Sequence, residues 1–131
     1  MIYGIGTDLM RISRISDTLA RHPARFPQRL LHPQEFARYQ KSRRPQNFLT
    51  KSWAVKEAFG KALGTGVRGY NNPDIGVVRG ELGRPVLVYS DAMRARMKRL
   101  CIARGHVSIS DEDGLVIAHV ILESAGPENS V

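Results

Sequence analysis

Glu57 and Lys61 stand four residues apart in the stretch Phe48 to Gly66, FLTKSWAVKEAFGKALGTG. On a helix that spacing puts a carboxylate and an ammonium group on one face, with Trp53 and Gly60 beside them. The other side, Phe48, Val55, Phe59 and Ala62, is apolar and can enter a core. Gly64 and Gly66 around Thr65 then stop the helix and leave backbone N–H groups for an anion. Such a set can hold phosphate. Taken alone, a Glu to Lys pair at this spacing is most often a solvated salt bridge worth about 0.3 to 0.5 kcal/mol. Its partner in the first strand changes the reading.

Alternation over Ile2 to Leu9, IYGIGTDL, predicts a strand with Tyr3, Ile5, Thr7 and Leu9 on one side and Asp8 on the other. Gly4 and Gly6 share the side of Asp8 and let a neighbouring segment approach the backbone closely. Asp8 is then either the N-cap of the helix that follows or a ligand. Paired with Glu57 it suits magnesium, which takes one or two carboxylates and fills its other positions with water and substrate phosphate oxygens. No His and Cys cluster competes for a transition metal. The single cysteine, Cys101, falls in a predicted helix and reads as a small core residue.

These residues carry a resemblance. GIGTDLMRISRI at 4 to 15, FLTKSWAVKEAFGKALGTG at 48 to 66, GRPVL at 83 to 87 and HVSISDEDGLVIAHVILES at 106 to 124 resemble the holo-[acyl-carrier-protein] synthases, small bacterial phosphopantetheinyl transferases. GxGTD near the start followed by WAxKEAxxKALGTG is a long joint pattern. The resemblance implies an enzyme that moves 4'-phosphopantetheine from coenzyme A to a serine of apo-acyl carrier protein in fatty acid biosynthesis, releasing adenosine 3',5'-bisphosphate. It implies Mg²⁺ on Asp8 and Glu57, with Glu57 and Lys61 as catalytic groups and Lys61 and Gly64 on coenzyme A. It also implies a homotrimer in which Gly83, Arg84, Pro85 and Ser110 reach the nucleotide from the next subunit. A serine hydroxyl needs a base, and Glu57 and an ion-bound water are the candidates. Two positions depart from the pattern. Asp111 stands where a histidine commonly follows the SxS element, and Arg11 stands where glutamate is common.

Charge names a partner independently. The chain of 131 residues carries 20 Lys and Arg against 12 Asp and Glu, and residues 1–50 carry 9 against 3. Arg14, Arg21, Arg25 and Arg29 recur along the first helix and its continuation, with Phe26 and Leu30 interleaved as apolar anchors, so an anionic partner is expected. An acidic carrier protein fits, with Phe26 as an apolar anchor. A nucleic-acid module rests on charge alone, without zinc-finger spacing, an RNP-type aromatic pair or a helix-turn-helix. A Mg²⁺-dependent phosphohydrolase would use the same carboxylates without needing the arginines.

The length suits one domain with a modest core, over 1–124, followed by a tail at 125–131 expected to be disordered. No stretch approaches the roughly 20 apolar residues of a membrane span, and no signal pattern is present, which predicts a cytoplasmic protein that meets no membrane. The elements read as a strand at 2–9, a helix at 12–21 and a short helix at 33–41 with His32 at its N′ or cap position. A central helix spans 46–63, and strands lie at 75–79 and 86–89. A helix capped by Asp91 runs to about Arg104, and a hairpin joins 107–110 to 115–123 across Asp111 to Gly114. That order predicts an α+β fold with the long helix packed on an antiparallel sheet.

Overall fold

Hydrophobic alternation carries the chain into its first strand, β1 (Ile2–Arg11), and the computed structural model describes residues 1–66 and 68–126. Helices α1 (Ile12–Arg21), α2 (Arg25–Leu30), α3 (Pro33–Tyr39) and α4 (Pro45–Leu63) follow in succession. Strands β2 (Ile75–Arg79) and β3 (Pro85–Tyr89) form a separate two-stranded antiparallel sheet. Helix α5 (Asp91–Arg99) leads into β4 (Ile102–Glu112) and β5 (Leu115–Ser124). The main sheet has the order β1-β5-β4 and is antiparallel throughout.

Helix α4 organises the molecule. Leu49, Ala54, Val55, Ala58, Phe59, Ala62 and Leu63 are buried along it and meet Met10 of β1 and Val116, Ala118, Val120 and Leu122 of β5. Every second residue of β5 therefore faces the helix, as a strand of period two requires. Pro45 opens α4, and Gly64, at φ 87, closes it in the left-handed region that favours glycine. Phe48, expected in the core, is half-buried and stacks on Tyr39 with ring centroids 5.7 Å apart. The architecture is the expected α+β one, a long helix on an antiparallel sheet.

Several local expectations are corrected. Asp8 does not cap α1, whose N-cap is Arg11 with no side-chain cap bond. Ser90, not Asp91, caps α5, its Oγ accepting from the Met93 N–H at 3.1 Å. That helix stops at Arg99, and Cys101 is exposed at φ 59 in the turn to β4, so it is no core residue. The chain reverses there because Ile102 must point into the core at the start of the strand. β4 begins five residues before its predicted start because Ala103, Arg104 and His106 are exposed and hide the alternation. Asp113 and Gly114, at φ 51 and 77, make the tight turn of the hairpin. At the chain's end Ala125 still donates its N–H to the Cys101 carbonyl at 2.8 Å, and the rest of the expected tail, 127–131, lies outside the described residues.

His32 does cap α3. Its Nδ1 accepts from the Gln34 N–H at 3.0 Å, and Glu35 returns a bond to the His32 N–H, completing a capping box. Burial lowers the His32 pKa from its ordinary 6.5, with Glu35 opposing and Lys56 adding to the shift. The unfolded chain therefore binds this proton more readily than the folded one. Stability from the cap is fully present above pH 6.5 and is lost as pH falls below it. His32→Asn, which keeps an acceptor, is expected to remove this loss, up to about 1 kcal/mol for a cap. Urea unfolding at a series of pH values measures it, and an unchanged pH slope in the variant would contradict the assignment.

Candidate active site

The two glycines of GxGTD decide where Asp8 lies. A Cβ on Gly4 would sit 1.9 Å from the Ala62 carbonyl oxygen, and one on Gly6 would sit 1.8 Å from that of Ala58. No side chain fits there, so bare backbone lets β1 lie directly on the C-terminal half of α4. Asp8, on the same side of β1, is thereby brought to the helix face of Glu57 and Lys61. Lys61 Nζ donates to the Thr7 carbonyl at 2.8 Å and lies 3.5 Å from Asp8 Oδ1. The three residues singled out from the sequence meet in one place.

Its electrostatics are unfinished. Asp8 Oδ2 is buried and has no hydrogen-bond partner among the described residues. An unpaired buried carboxylate oxygen costs on the order of 1–3 kcal/mol or more. Burial also raises the Glu57 pKa above its ordinary 4.5, and the negative charge of Asp8 raises it further. Lys61, the Trp53 indole and Arg14 act in the opposite direction without cancelling the rise. Two carboxylates that repel each other, one with a bare oxygen, are a donor set that a hard divalent cation would satisfy. No group of three or more His, Cys, Asp and Glu gathers among the described residues, so water and substrate oxygens would have to complete such a shell.

Arg11 is exposed and, three positions along the strand, lies on the opposite face from Asp8. Asp111 meets Lys51 of α4, Oδ1 to Nζ 3.8 Å, so the anion that follows the SxS element is matched by a cation from the helix. Lys51 lines a cavity of about 200 Å³ together with Arg38, Arg44, Asn47, Arg79 and Pro85. The Gly83-Arg84-Pro85 turn and Ser110 stand apart from Asp8, Glu57 and Lys61. Arg84 is exposed, and Ser110 is exposed on the outward sheet face, in register with Ile117 and through it with Leu9.

Arg14, Arg21, Arg25 and Arg29 are all exposed, and none has a carboxylate partner among the described residues. Phe26 is half-buried, its ring centroid 5.6 Å from that of Trp53, and with Thr18, His22, Arg25 and Arg29 it lines a groove of about 250 Å³. Leu30 is buried core and not an exposed anchor. Two features escaped the sequence reading. One is the buried pair of Glu35 and Lys56, Oε1 to Nζ 2.8 Å. The other is Tyr70, whose hydroxyl donates to the Lys56 carbonyl at 3.1 Å and is pushed up in pKa by burial, with the Glu57 charge adding to the rise. An invariant alternation or spacing would not have marked either.

Comparison with known proteins assigns the class. Residues 4–118 match the family model of the 4'-phosphopantetheinyl transferase superfamily. A holo-[acyl-carrier-protein] synthase of Nitrosospira multiformis is 45% identical over 124 residues, covering 94% of this chain and 99% of the relative. The crystal structure of the holo-[acyl-carrier-protein] synthase from Neisseria meningitidis superposes with a TM-score of 0.91 at 38% identity, over 95% of this chain and 100% of that one. That of the Helicobacter pylori synthase, in complex with coenzyme A, has a TM-score of 0.79 at 28% identity, over 91% and 99%. The chain belongs to the 4'-phosphopantetheinyl transferase superfamily, among the holo-[acyl-carrier-protein] synthases.

Proposed function

We propose that this enzyme transfers 4'-phosphopantetheine from coenzyme A to a serine of apo-acyl carrier protein, with Asp8, Glu57 and Lys61 at the reacting phosphate and Mg²⁺ as the ion. The observation that carries the assignment of the site is the convergence of these three residues around a buried carboxylate oxygen without a partner. The serine oxygen forms a bond to the β-phosphorus of coenzyme A as the bond to the nucleotide half breaks, and the hydroxyl proton passes through a base to solvent, which leaves holo-carrier protein and adenosine 3',5'-bisphosphate. Asp8 and Glu57 would hold the ion, which when bound would offset charge on the pyrophosphate. Lys61 is half-exposed and held by Thr7 and Asp8, so its ammonium group can turn to a phosphate oxygen and stabilise charge as the leaving group departs. The N–H groups expected to be free for an anion are taken, that of Gly64 by the Lys61 carbonyl at 3.1 Å and that of Gly66 by the Gly60 carbonyl at 2.9 Å. Gly64 therefore serves coenzyme A through its open Cα, around which a Cβ would meet nothing within 4 Å, by letting the substrate approach the backbone beside Lys61.

The exposed arginines of α1 and α2, with Phe26 in the groove between them, receive the acidic carrier protein. Arg14 also acts electrostatically on Glu57, so this surface borders the reacting groups. Arg14→Glu and Arg21→Glu are expected to raise KM for carrier protein about tenfold or more while KM for coenzyme A changes little, with the larger effect at low salt. Exposed charges act over about 10 Å at 0.1 M ionic strength, so reversal chiefly slows encounter. Equal effects on both substrates would place these arginines in the nucleotide site. A phosphohydrolase is separated by the same assay, because it would release nucleotide without carrier protein.

The working unit is a homotrimer with shared sites. Support comes from the sheet face turned away from α4, where Ile5 is 66% and Leu9 61% exposed, with Tyr3 and Ile121 beside them. A contiguous apolar face of this kind marks a contact surface. Ser110 lies on that face, so a neighbour's nucleotide site can draw on it and on the Gly83, Arg84 and Pro85 turn. Light scattering of the active protein is expected to give three times the chain mass. A monomer at full activity would contradict the shared site.

A further inference from the structure

Arg96 of α5 belongs to none of the groups assigned above, yet it reaches the end of α4. Its Nη1 donates to the Arg68 carbonyl and its Nη2 to Thr65 Oγ1, each at 3.4 Å, and its guanidinium carbon lies 5.8 Å from the centroid of the Tyr70 ring. A Cβ on Gly69 would come within 2.9 Å of Nη1, so the backbone there closes against the cation. Each bond is long and individually weak. Their convergence matters more, because one rigid planar group spans three points of the same segment. Arg94, Lys98 and Arg99 on the same helix make no side-chain hydrogen bond or ion pair among the described residues.

The segment that Arg96 holds is itself folded onto the active helix. The Gly66 N–H donates to the Gly60 carbonyl at 2.9 Å, and the Tyr70 hydroxyl donates to the Lys56 carbonyl at 3.1 Å. A Cβ on Gly60 would lie 2.6 Å from the Gly66 carbonyl carbon and 2.9 Å from the Tyr70 hydroxyl. The turn Gly64–Gly66 is thus docked on the backbone of Gly60 and Lys61, and Arg96 is the outer clasp. Thr65 Oγ1 accepts from Arg96 and donates to the Gly66 carbonyl at 3.1 Å, linking clasp to turn.

We propose that Arg96 is a positioning residue for coenzyme A, holding the Gly64–Gly66 turn against α4 so that the bare backbone at Gly64 stands open beside Lys61 before substrate arrives. This rests on the transferase reading and on Gly64 as a coenzyme A contact. Preorganisation lowers the ordering cost of binding, and a contact made equally in substrate and transition state affects KM more than kcat. Arg96→Ala is therefore expected to raise KM for coenzyme A about tenfold, with kcat and KM for carrier protein within about twofold of wild type. Arg96→Lys keeps the charge but cannot span both acceptors, and is expected to fall between.

Hydrogen exchange on the substrate-free protein supplies a readout independent of turnover. The Gly66 amide is expected to exchange several-fold faster in Arg96→Ala, while the Phe59 amide in the core of α4 keeps its protection. An unchanged KM for coenzyme A in Arg96→Ala overturns the proposal, as does a rise shared equally with carrier protein. Gly66 exchange at the wild-type rate overturns it too. A wild-type protein without transferase activity would overturn the transferase reading, and Gly66 exchange would then show whether Arg96 holds the turn.

Discussion

Asp8→Ala and Glu57→Ala will each lower kcat for transfer by about 10³-fold while leaving the protein folded and as stable as wild type, or more so, in chelator. The rate loss follows from removing half of the proposed two-carboxylate ion site and from the several kcal/mol that such an ion would contribute to charge stabilisation. The stability result discriminates more sharply. Asp8 gives up only a partly exposed pair with Lys61, worth about 0–1 kcal/mol. Its buried Oδ2 has no partner among the described residues, which costs on the order of 1–3 kcal/mol. Removing the carboxylate relieves that cost and the repulsion that raises the Glu57 pKa. A residue kept for structure would behave in the opposite way. Thermal melting in chelator, alongside activity titrated with Mg²⁺, measures both halves, and a destabilised Asp8→Ala protein at near wild-type activity would reject the assignment.

The largest loss of stability is expected from the buried pair beneath the site. Glu35 and Lys56 are 0% and 1% exposed. The carboxylate accepts from the His32 and Val77 N–H groups at 3.0 and 2.9 Å, from Ser52 Oγ at 2.7 Å and from Lys56 Nζ at 2.8 Å. Lys56 also donates to the Asn72 carbonyl at 3.0 Å and to that of Ile75. Burial lowers the Lys56 pKa, and Glu35 opposes the shift. Breaking such a pair strands a charge, so Lys56→Met or Glu35→Gln is expected to cost about 3–5 kcal/mol. The double replacement Glu35→Leu with Lys56→Met should recover only part, because the His32 and Val77 N–H groups remain buried and unpaired. Urea unfolding of the three variants tests this, and single variants within about 1 kcal/mol of wild type would contradict it.

What the sequence disclosed and what it hid have physical reasons. Asp8 was legible because a strand alternates faces, and Glu57 and Lys61 because a helix repeats about every four residues. Gly4 and Gly6 signalled a close approach, and α4 is the segment that approaches. Glu35 was hidden because a glutamate in the first turn of a polar-flanked helix reads as a surface residue. Its burial comes from α4 and β2, which are distant in sequence. Lys56 was masked by its neighbour Glu57, since adjacent helical residues face different ways and only one of the two fitted the ligand pattern. Cys101 was misplaced because the basic run of α5 has no glycine to mark its end, and the reversal depends on a left-handed backbone at a residue that seldom adopts one. The Asp111 departure gained a meaning only when folding placed Lys51 opposite it.

Intact-mass measurement of apo-acyl carrier protein, incubated with this enzyme, coenzyme A and Mg²⁺, decides whether phosphopantetheine is transferred and whether Glu57 is needed for it. One phosphopantetheine is expected on the carrier protein, at a serine, with an equal amount of adenosine 3',5'-bisphosphate released and neither product formed by the Glu57→Ala variant. Nucleotide released without any gain of mass on the carrier protein, or full modification by the Glu57→Ala variant, would contradict this expectation.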